Sequence, residues 1–166
     1  MYLRKNDKPL EQLIKRLDEE HRSDVTRHVR STLNKGAFKF SQKHSDGPLP
    51  EYCIGEQFKS LERGGMWTVT SIQPDNCVFL SDFSVIMVRN FVRSGNLDLV
   101  IGQKFQNQND FYDCPIPSSC IYEFLVDSLS PVIQAWDVKC IKYKTVKLPA
   151  TFPYNDYFVV FPLLRQ

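Results

Sequence analysis

Short apolar runs separated by turn-forming residues dominate the middle of the chain, over residues 66–105. The runs are rich in Val, Ile, Thr, Phe and Trp, which favour β-strands. They are interrupted at residues 74–76, 81–84 and 94–96, where Pro, Asp, Asn, Ser and Gly favour tight turns. The pattern predicts three or four consecutive antiparallel strands that form a meander.

The spacing predicts strands at residues 66–72, 76–80 and 85–91, followed by an extended segment at 97–105. Alternation in the third strand places Ile86 and Val88 on one face of the sheet and Val85 and Met87, with Arg89, on the other. The pattern leaves open whether 97–105 is a separate strand or the tail of the third one.

An N-terminal helical arm is predicted ahead of these strands. Pro9 suits the first turn of a helix, and an apolar stripe follows it at helical spacing, formed by Leu10, Leu13, Ile14 and Leu17. The helix either runs on or gives way to a second one, which ends at residues 34–36. Because the stripe must be buried, it packs on the chain's own body or on another protein.

Residues 37–51 look like a connection, which divides the chain into a basic helical arm and linker, 1–50, and a body, 51–166. Within the body, 52–58 fits a short strand or a helical turn, and the polar segment 106–113 fits a loop.

A helix is predicted to begin at Ser118 or Ser119 and to end before Pro131. Its buried face would consist of Ile121, Tyr122, Leu125, Val126 and Leu129. Strands are expected at 135–146 and 157–164, and Pro162 argues for an edge position or a strand end.

Charge is unevenly distributed along the chain. Residues 1–43 contain eleven Lys and Arg against six Asp and Glu, whereas the remainder contains ten against thirteen. The arm is therefore basic and the body mildly acidic. This asymmetry favours an anionic partner, either a nucleic acid or an acidic protein surface.

Several kinds of chemistry find no support in the sequence. The five cysteines form no Cys-x-x-Cys pair, and no Gly-rich phosphate loop, nucleophile elbow or His-Glu metal motif occurs. We therefore expect no enzymatic activity, metal, cofactor or small-molecule substrate. We also expect no membrane span, since no apolar run reaches about 18 residues, and reduced intracellular thiols.

A nucleic-acid surface needs cations and aromatic rings on one face. The candidates are Arg89, Arg93, Lys104, Lys139, Lys142, Tyr143 and Lys144, with rings that include Trp67, Phe83, Phe91 and Phe105. The alternative is that the large rings are core and that Lys139, Lys142 and Lys144 are the solvent side of an edge strand, where lysines deter aggregation.

The segments 67–72 (WTVTSI), 78–82 (VFLSD) and 84–88 (SVIMV) resemble the first three strands of single-stranded DNA-binding OB domains. Over residues 52–166, the resemblance implies a mainly β fold, an OB-like five-stranded Greek-key barrel with one internal helix. In such domains a strand ends in an Asp-Gly turn, whereas here Asp82 is followed by Phe83.

A small OB body with a helical arm also looks like accessory subunits of the chromosome-end protection complexes shelterin, CST and insect terminin. This resemblance implies a non-catalytic nuclear subunit of a genome-maintenance, telomere-protecting complex. It would bind single-stranded DNA, other protein subunits, or both, and Leu10, Leu13, Ile14 and Leu17 would contact a partner. The alternative is a pure protein–protein interaction scaffold that binds no nucleic acid.

Overall fold

The computed structural model describes residues 37–150 and 157–163, which are mainly β. Within these ranges the only helical segments are two short 3₁₀ turns, Ser118–Ile121 and Val138–Cys140. The predicted helical arm, with Leu10, Leu13, Ile14 and Leu17, lies outside the described residues.

In the described part of the chain, ten strands form one continuous antiparallel sheet. They are β1 Phe38–His44, β2 Glu56–Arg63, β3 Trp67–Thr70, β4 Cys77–Leu80, β5 Val85–Ser94, β6 Leu97–Asp110, β7 Phe124–Leu129, β8 Gln134–Asp137, β9 Ile141–Pro149 and β10 Phe158–Pro162.

Six of these strands close into a ring. In order around it they are β4, β5, β6, β7, β10 and β9, and β9 pairs back with β4. All six contribute to one apolar cluster, so this cluster is the interior of the ring. Its buried members are Cys77, Phe79, Val85, Met87, Phe105, Val126 and Val160.

The other face of β4 and β5 packs against a second core. There Val78, Ile86 and Val88 meet Leu61 from β2 and Val69 from β3. The alternation predicted for residues 85–88 is confirmed, and the side chains on both faces are buried. Each such aliphatic side chain contributes about 1.5–3 kcal/mol when it is withdrawn from water.

The extended segment after Gly95 is a separate strand, β6, which pairs with β5 as a hairpin. Gly102 allows the two strands to approach closely, because a Cβ there would lie 2.5 Å from the carbonyl oxygen of Met87. Since β6 continues to Asp110, the loop predicted from residue 106 onward is wrong over its first five residues.

Long-range pairing changes the rest of the predicted topology. The segment 37–51, expected to be a connection, contains β1, which pairs with β2. The first strand of the expected meander, β3, pairs with β2 and not with β4, while β2 joins β5. The ring also contains six strands, one more than the expected five-stranded barrel.

The helix predicted after Ser118 is wrong. The 3₁₀ turn ends at Tyr122, and the chain then enters β7, which pairs with β6 on one side and β10 on the other. The apolar spacing of this segment also satisfies a strand, with Phe124 and Val126 on the ring side. Hydrogen bonds to two neighbouring strands outweigh the helical spacing.

The predicted long strand at 135–146 is split by the turn Val138–Cys140 into β8 and β9, and the Asp137 side chain caps this turn by accepting a hydrogen bond from the Lys139 N–H. Pro162 is the last residue of β10, as expected for a strand end.

Asn90 on β5 anchors the loop that follows β1. Its side-chain oxygen accepts from the Phe91 N–H at 2.8 Å and contacts His44 Nε2 at 3.1 Å. Its Nδ2 donates to Gln57 Oε1 at 2.7 Å and to the Pro48 carbonyl at 3.2 Å. A fully buried amide thus has every strong hydrogen-bonding group engaged, as burial requires.

Burial of Cys77 predicts a loss of stability at high pH. Burial raises the pKa of the Cys77 thiol to about 11. Below pH 9 the thiol is protonated in both states, but between pH 9 and 11 it ionises only in the unfolded chain. The free energy of unfolding should therefore fall across this window by on the order of 2 kcal/mol.

Urea unfolding under reducing conditions checks this expectation against Cys77→Val, which keeps an apolar side chain but cannot ionise. The variant should lack this part of the decline. A decline of equal size in both proteins would show that Cys77 is not its source.

Candidate nucleic-acid interface

The turns at one end of the ring converge because neighbouring strands are antiparallel. At this end β4 finishes at Leu80 and β5 begins at Val85, β6 finishes at Asp110 and β7 begins at Phe124, and β9 begins at Ile141. Side chains from two connections and from the start of β9 therefore meet there.

The first connection is the turn between β4 and β5. Asp82 Oδ1 accepts hydrogen bonds from the Ser84 N–H at 3.0 Å and the Ser84 hydroxyl at 2.6 Å. These bonds lower the pKa of Asp82. Phe83 has φ = 62°, a left-handed conformation that costs a non-glycine residue about 1–2 kcal/mol. Phe83 thus adopts the backbone conformation that glycine has in an Asp-Gly turn.

The second connection contains Tyr122, which also has φ = 62°. It ends the 3₁₀ turn, and its N–H donates to the Ser119 carbonyl at 3.1 Å. The Tyr122 and Phe83 rings are stacked, with centroids 5.2 Å apart and an interplanar angle of 4°. Two residues in sparsely populated conformations therefore bring their rings face to face, and such backbone strain concentrates at binding sites.

The third contribution comes from the start of β9. Lys142 Nζ lies 3.9 Å from the Phe83 ring centroid, 5.4 Å from that of Tyr143 and 5.8 Å from that of Tyr122. At these distances an ammonium group is attracted to the ring faces. We call Phe83, Tyr122, Lys142 and Tyr143 the aromatic cluster.

Two of the other predicted cations lie near this cluster. Lys104 is exposed on β6, and its charge helps to lower the pKa of Asp82. Lys139 is exposed on the turn before β9, and this turn is tied to the β4–β5 turn by a hydrogen bond from the Ser81 hydroxyl to the Cys140 carbonyl at 3.0 Å. Lys104 and Lys139 therefore lie on elements that adjoin the β4–β5 turn.

Three predicted cations lie elsewhere. Arg93, at the opposite end of β5, donates to both carboxylate oxygens of Asp98, at 2.7 and 3.1 Å, and this pairing raises its pKa. Lys144 forms an ion pair with Asp75. Arg89 Nε donates to Gln103 Oε1 at 2.8 Å. The seven predicted residues therefore do not form one surface.

The alternative reading of the candidate residues has two parts, one for the large rings and one for the lysines, and the two have different outcomes. Trp67, Phe91 and Phe105 are buried in the cores, as the alternative held. The lysines of β9 are not on an edge strand, however, because β9 pairs with both β4 and β10.

Tyr122 is the member of the aromatic cluster that sequence reasoning placed elsewhere, on the buried face of a helix. Its position depends on a left-handed backbone at a non-glycine residue, for which the local sequence carries no signal. Phe83, Lys142 and Tyr143 are among the residues predicted from the sequence for a nucleic-acid surface.

Two searches of the described part of the chain found nothing. Residues 37–150 and 157–163 contain no group of three or more His, Cys, Asp or Glu side chains arranged to hold a metal ion. The same ranges contain no helix with the length and apolar character needed to cross a membrane.

A family model described as a domain of unknown function, DUF8592, matches residues 43–163. The chain belongs to this family, and the matched segment runs from the end of β1 to the residue after β10. No curated protein and no solved structure matches the chain.

The left-handed turn at Phe83 predicts an unusual order of stabilities. Phe83→Ala and Phe83→Gly both remove the ring contacts, but only glycine relieves the backbone strain. Phe83→Gly should therefore be the more stable variant, by about 1 kcal/mol in urea unfolding.

The same pair of substitutions at Phe111 provides the control, because Phe111 is a half-exposed loop residue that does not have positive φ. There the alanine variant should be the more stable one. If alanine is also better at position 83, the turn is not strained.

Proposed function

We propose that this member of the DUF8592 family is a non-catalytic subunit that binds single-stranded nucleic acid through the aromatic cluster. The observation that carries the proposal is the grouping of Lys142 with three aromatic rings at one end of a closed β-ring. Bases stack on aromatic side chains, and lysines neutralise phosphates; these two contacts are the main source of affinity for single strands.

The geometry suggests how a strand would bind. Lys142 occupies a face of Phe83, and Tyr122 stacks on the same ring. When a strand arrives, the Lys142 ammonium group moves away from the aromatic rings to a phosphate, and a base stacks against the rings that it leaves. The exposed Lys104 and Lys139 then contact neighbouring phosphates.

The relation to the OB-fold belongs to the same proposal. A closed antiparallel ring supports it, as does the one-turn 3₁₀ segment that follows the strands β4, β5 and β6, where the OB order has a helix after its meander. The nuclear, telomere-protecting setting is supported by the resemblance in layout and by the basic N-terminal segment.

A second candidate function is that of a protein-interaction scaffold without nucleic-acid binding. Two observations favour it. Arg93 and Lys144 are neutralised by Asp98 and Asp75. In addition, Ile54 and Leu97, near the turn that joins β5 to β6, are 82% and 55% exposed. The apolar stripe Leu10, Leu13, Ile14 and Leu17 would supply a further partner contact.

Oligonucleotide binding tests the first candidate. Lys142→Met should weaken binding of a labelled single strand and reduce the slope of log affinity against log salt by about 0.7, the contribution of one phosphate contact. Phe83→Leu should weaken binding by about 1–3 kcal/mol, the contribution of one stacked base, with little change in slope. Fluorescence anisotropy between low and moderate salt measures both.

The double variant Asp75→Asn, Lys144→Met is the matched control, because it removes an ion pair and leaves the net charge unchanged. It should bind as the wild type does. If the wild type fails to bind at low salt, or if Lys142→Met leaves affinity and slope intact, nucleic-acid binding through this cluster is excluded.

Affinity purification with mass spectrometry tests the scaffold. Ile54→Asp with Leu97→Asp should release a partner that the wild type retains, since charges in an apolar contact oppose association. Thermal unfolding should hardly change, because substitutions at exposed positions usually alter stability by less than about 0.5 kcal/mol. Leu13→Asp with Leu17→Asp tests the N-terminal stripe separately, and unaltered recovery of every partner by both variants would contradict the scaffold.

A further inference from the structure

Polar side chains enter the ring at the end opposite to the aromatic cluster. We call this the far end of the ring; there β4 begins, β9 ends and β10 begins. On β9, the alternation that directs Tyr143 inward also directs Thr145 and Lys147 inward. Thr145 adjoins the thiol of Cys77, which is fully buried. The interior of the ring is therefore apolar at one end and polar at the other.

Three buried polar atoms among the described residues lack a hydrogen-bond partner, those of Asn76, Thr145 and Lys147, and Lys147 is the cation among them. Its Nζ has almost no contact with solvent and no hydrogen-bond partner among the described residues. The ring of Phe158 lies beneath it, with the centroid 4.7 Å from Nζ. A buried ammonium group that lacks an anionic partner destabilises the folded state.

The charges around Lys147 do not supply that partner. Burial lowers its pKa; the Cys77 thiol opposes this effect, and the positive charge of Arg89 adds to it. Among the described residues, no carboxylate appears with these groups. Arg89 lies on the interior side of the ring as well, because its side chain contacts Gln103, which is two residues before the inward-facing Phe105 on β6.

Arg89 is held in a fixed orientation by a β-bulge. The register of β5 against β6 shifts between Val88 and Asn90, which leaves Arg89 without a backbone partner. Its Nε donates to Gln103, and Gln103 Nε2 in turn donates to the Ser130 carbonyl at 2.8 Å. The two terminal nitrogens of the guanidinium make no hydrogen bond or ion pair within the part of the chain that the structure describes.

We propose that the far end of the ring binds an oxyanion, a phosphate or a carboxylate group, between the ammonium of Lys147 and the guanidinium of Arg89. The planar guanidinium matches such a group with two parallel N–H donors, and the ammonium adds a point charge. Braced by Gln103, Arg89 is already oriented, so little conformational entropy is lost on binding.

This site is independent of the aromatic cluster, because the two lie at opposite ends of the ring. Loss of oligonucleotide binding and loss of oxyanion binding are therefore separate results. Lys147→Met is the informative substitution, since methionine fills a similar volume without charge.

Thermal unfolding of the full chain, in inorganic phosphate and in chloride at equal ionic strength, tests the proposal. Phosphate should raise the Tm of the wild type and not that of Lys147→Met, because a ligand that binds only the folded state stabilises it. In chloride, Lys147→Met should be at least as stable as the wild type, since it lacks the unpaired charge. Lys39→Met, at an exposed position on β1, removes the same charge and should respond to phosphate as the wild type does.

Direct binding of phosphate by calorimetry completes the test, with affinity expected to fall at least tenfold in Lys147→Met and in Arg89→Gln. Acetate in place of phosphate shows which kind of oxyanion the site prefers, and a response to either supports the proposal. If Lys147→Met does not fold, Arg89→Gln provides the same test. A wild type that responds to neither anion, or variants that respond as strongly as the wild type, would overturn the proposal.

Discussion

The fold depends on β4 and β5 being buried on both faces. One face lines the interior of the ring, through Phe79 and Val85, and the other face packs on β2 and β3, through Val78 and Ile86. Two cores therefore share the same pair of strands, and neither core forms unless these strands are in place. This arrangement explains why every residue from Cys77 to Leu80 is buried.

Burial on both faces has a further consequence for strand register. When one face is polar, a slip of one residue exposes apolar side chains, and this penalty fixes the register. Here a slip exchanges one apolar face for another, so the register needs a second source. The β4–β5 turn supplies it, because the bonds from Ser84 to Asp82 define where the hairpin reverses. The same turn holds Phe83 in its left-handed conformation, so the element that aligns the two cores also positions the aromatic cluster.

The sequence predicts those features that depend on neighbouring residues. The strands around residues 76–80 and 85–91 follow from local composition and from turn residues on either side. Closure of the ring does not follow, because β9 and β10 return to β4 and β7 from far along the chain. The segment after Ser118 fails for another reason: its apolar spacing satisfies both a helix and a strand, and the decision lies with β6 and β10. Tyr122 joins the cluster only because this segment is not helical.

The lysines of β9 show why charge placement alone is a weak guide to function. Lys142, Lys144 and Lys147 lie within six positions of one strand, yet each has a different environment. Lys142 lies over aromatic rings, Lys144 is neutralised by Asp75, and Lys147 points into the ring. In the sequence all three are equivalent basic residues beside apolar neighbours. Strand alternation separates Lys147 from the other two, but only the partners brought by β4 and β10 determine which charge is free to bind a ligand.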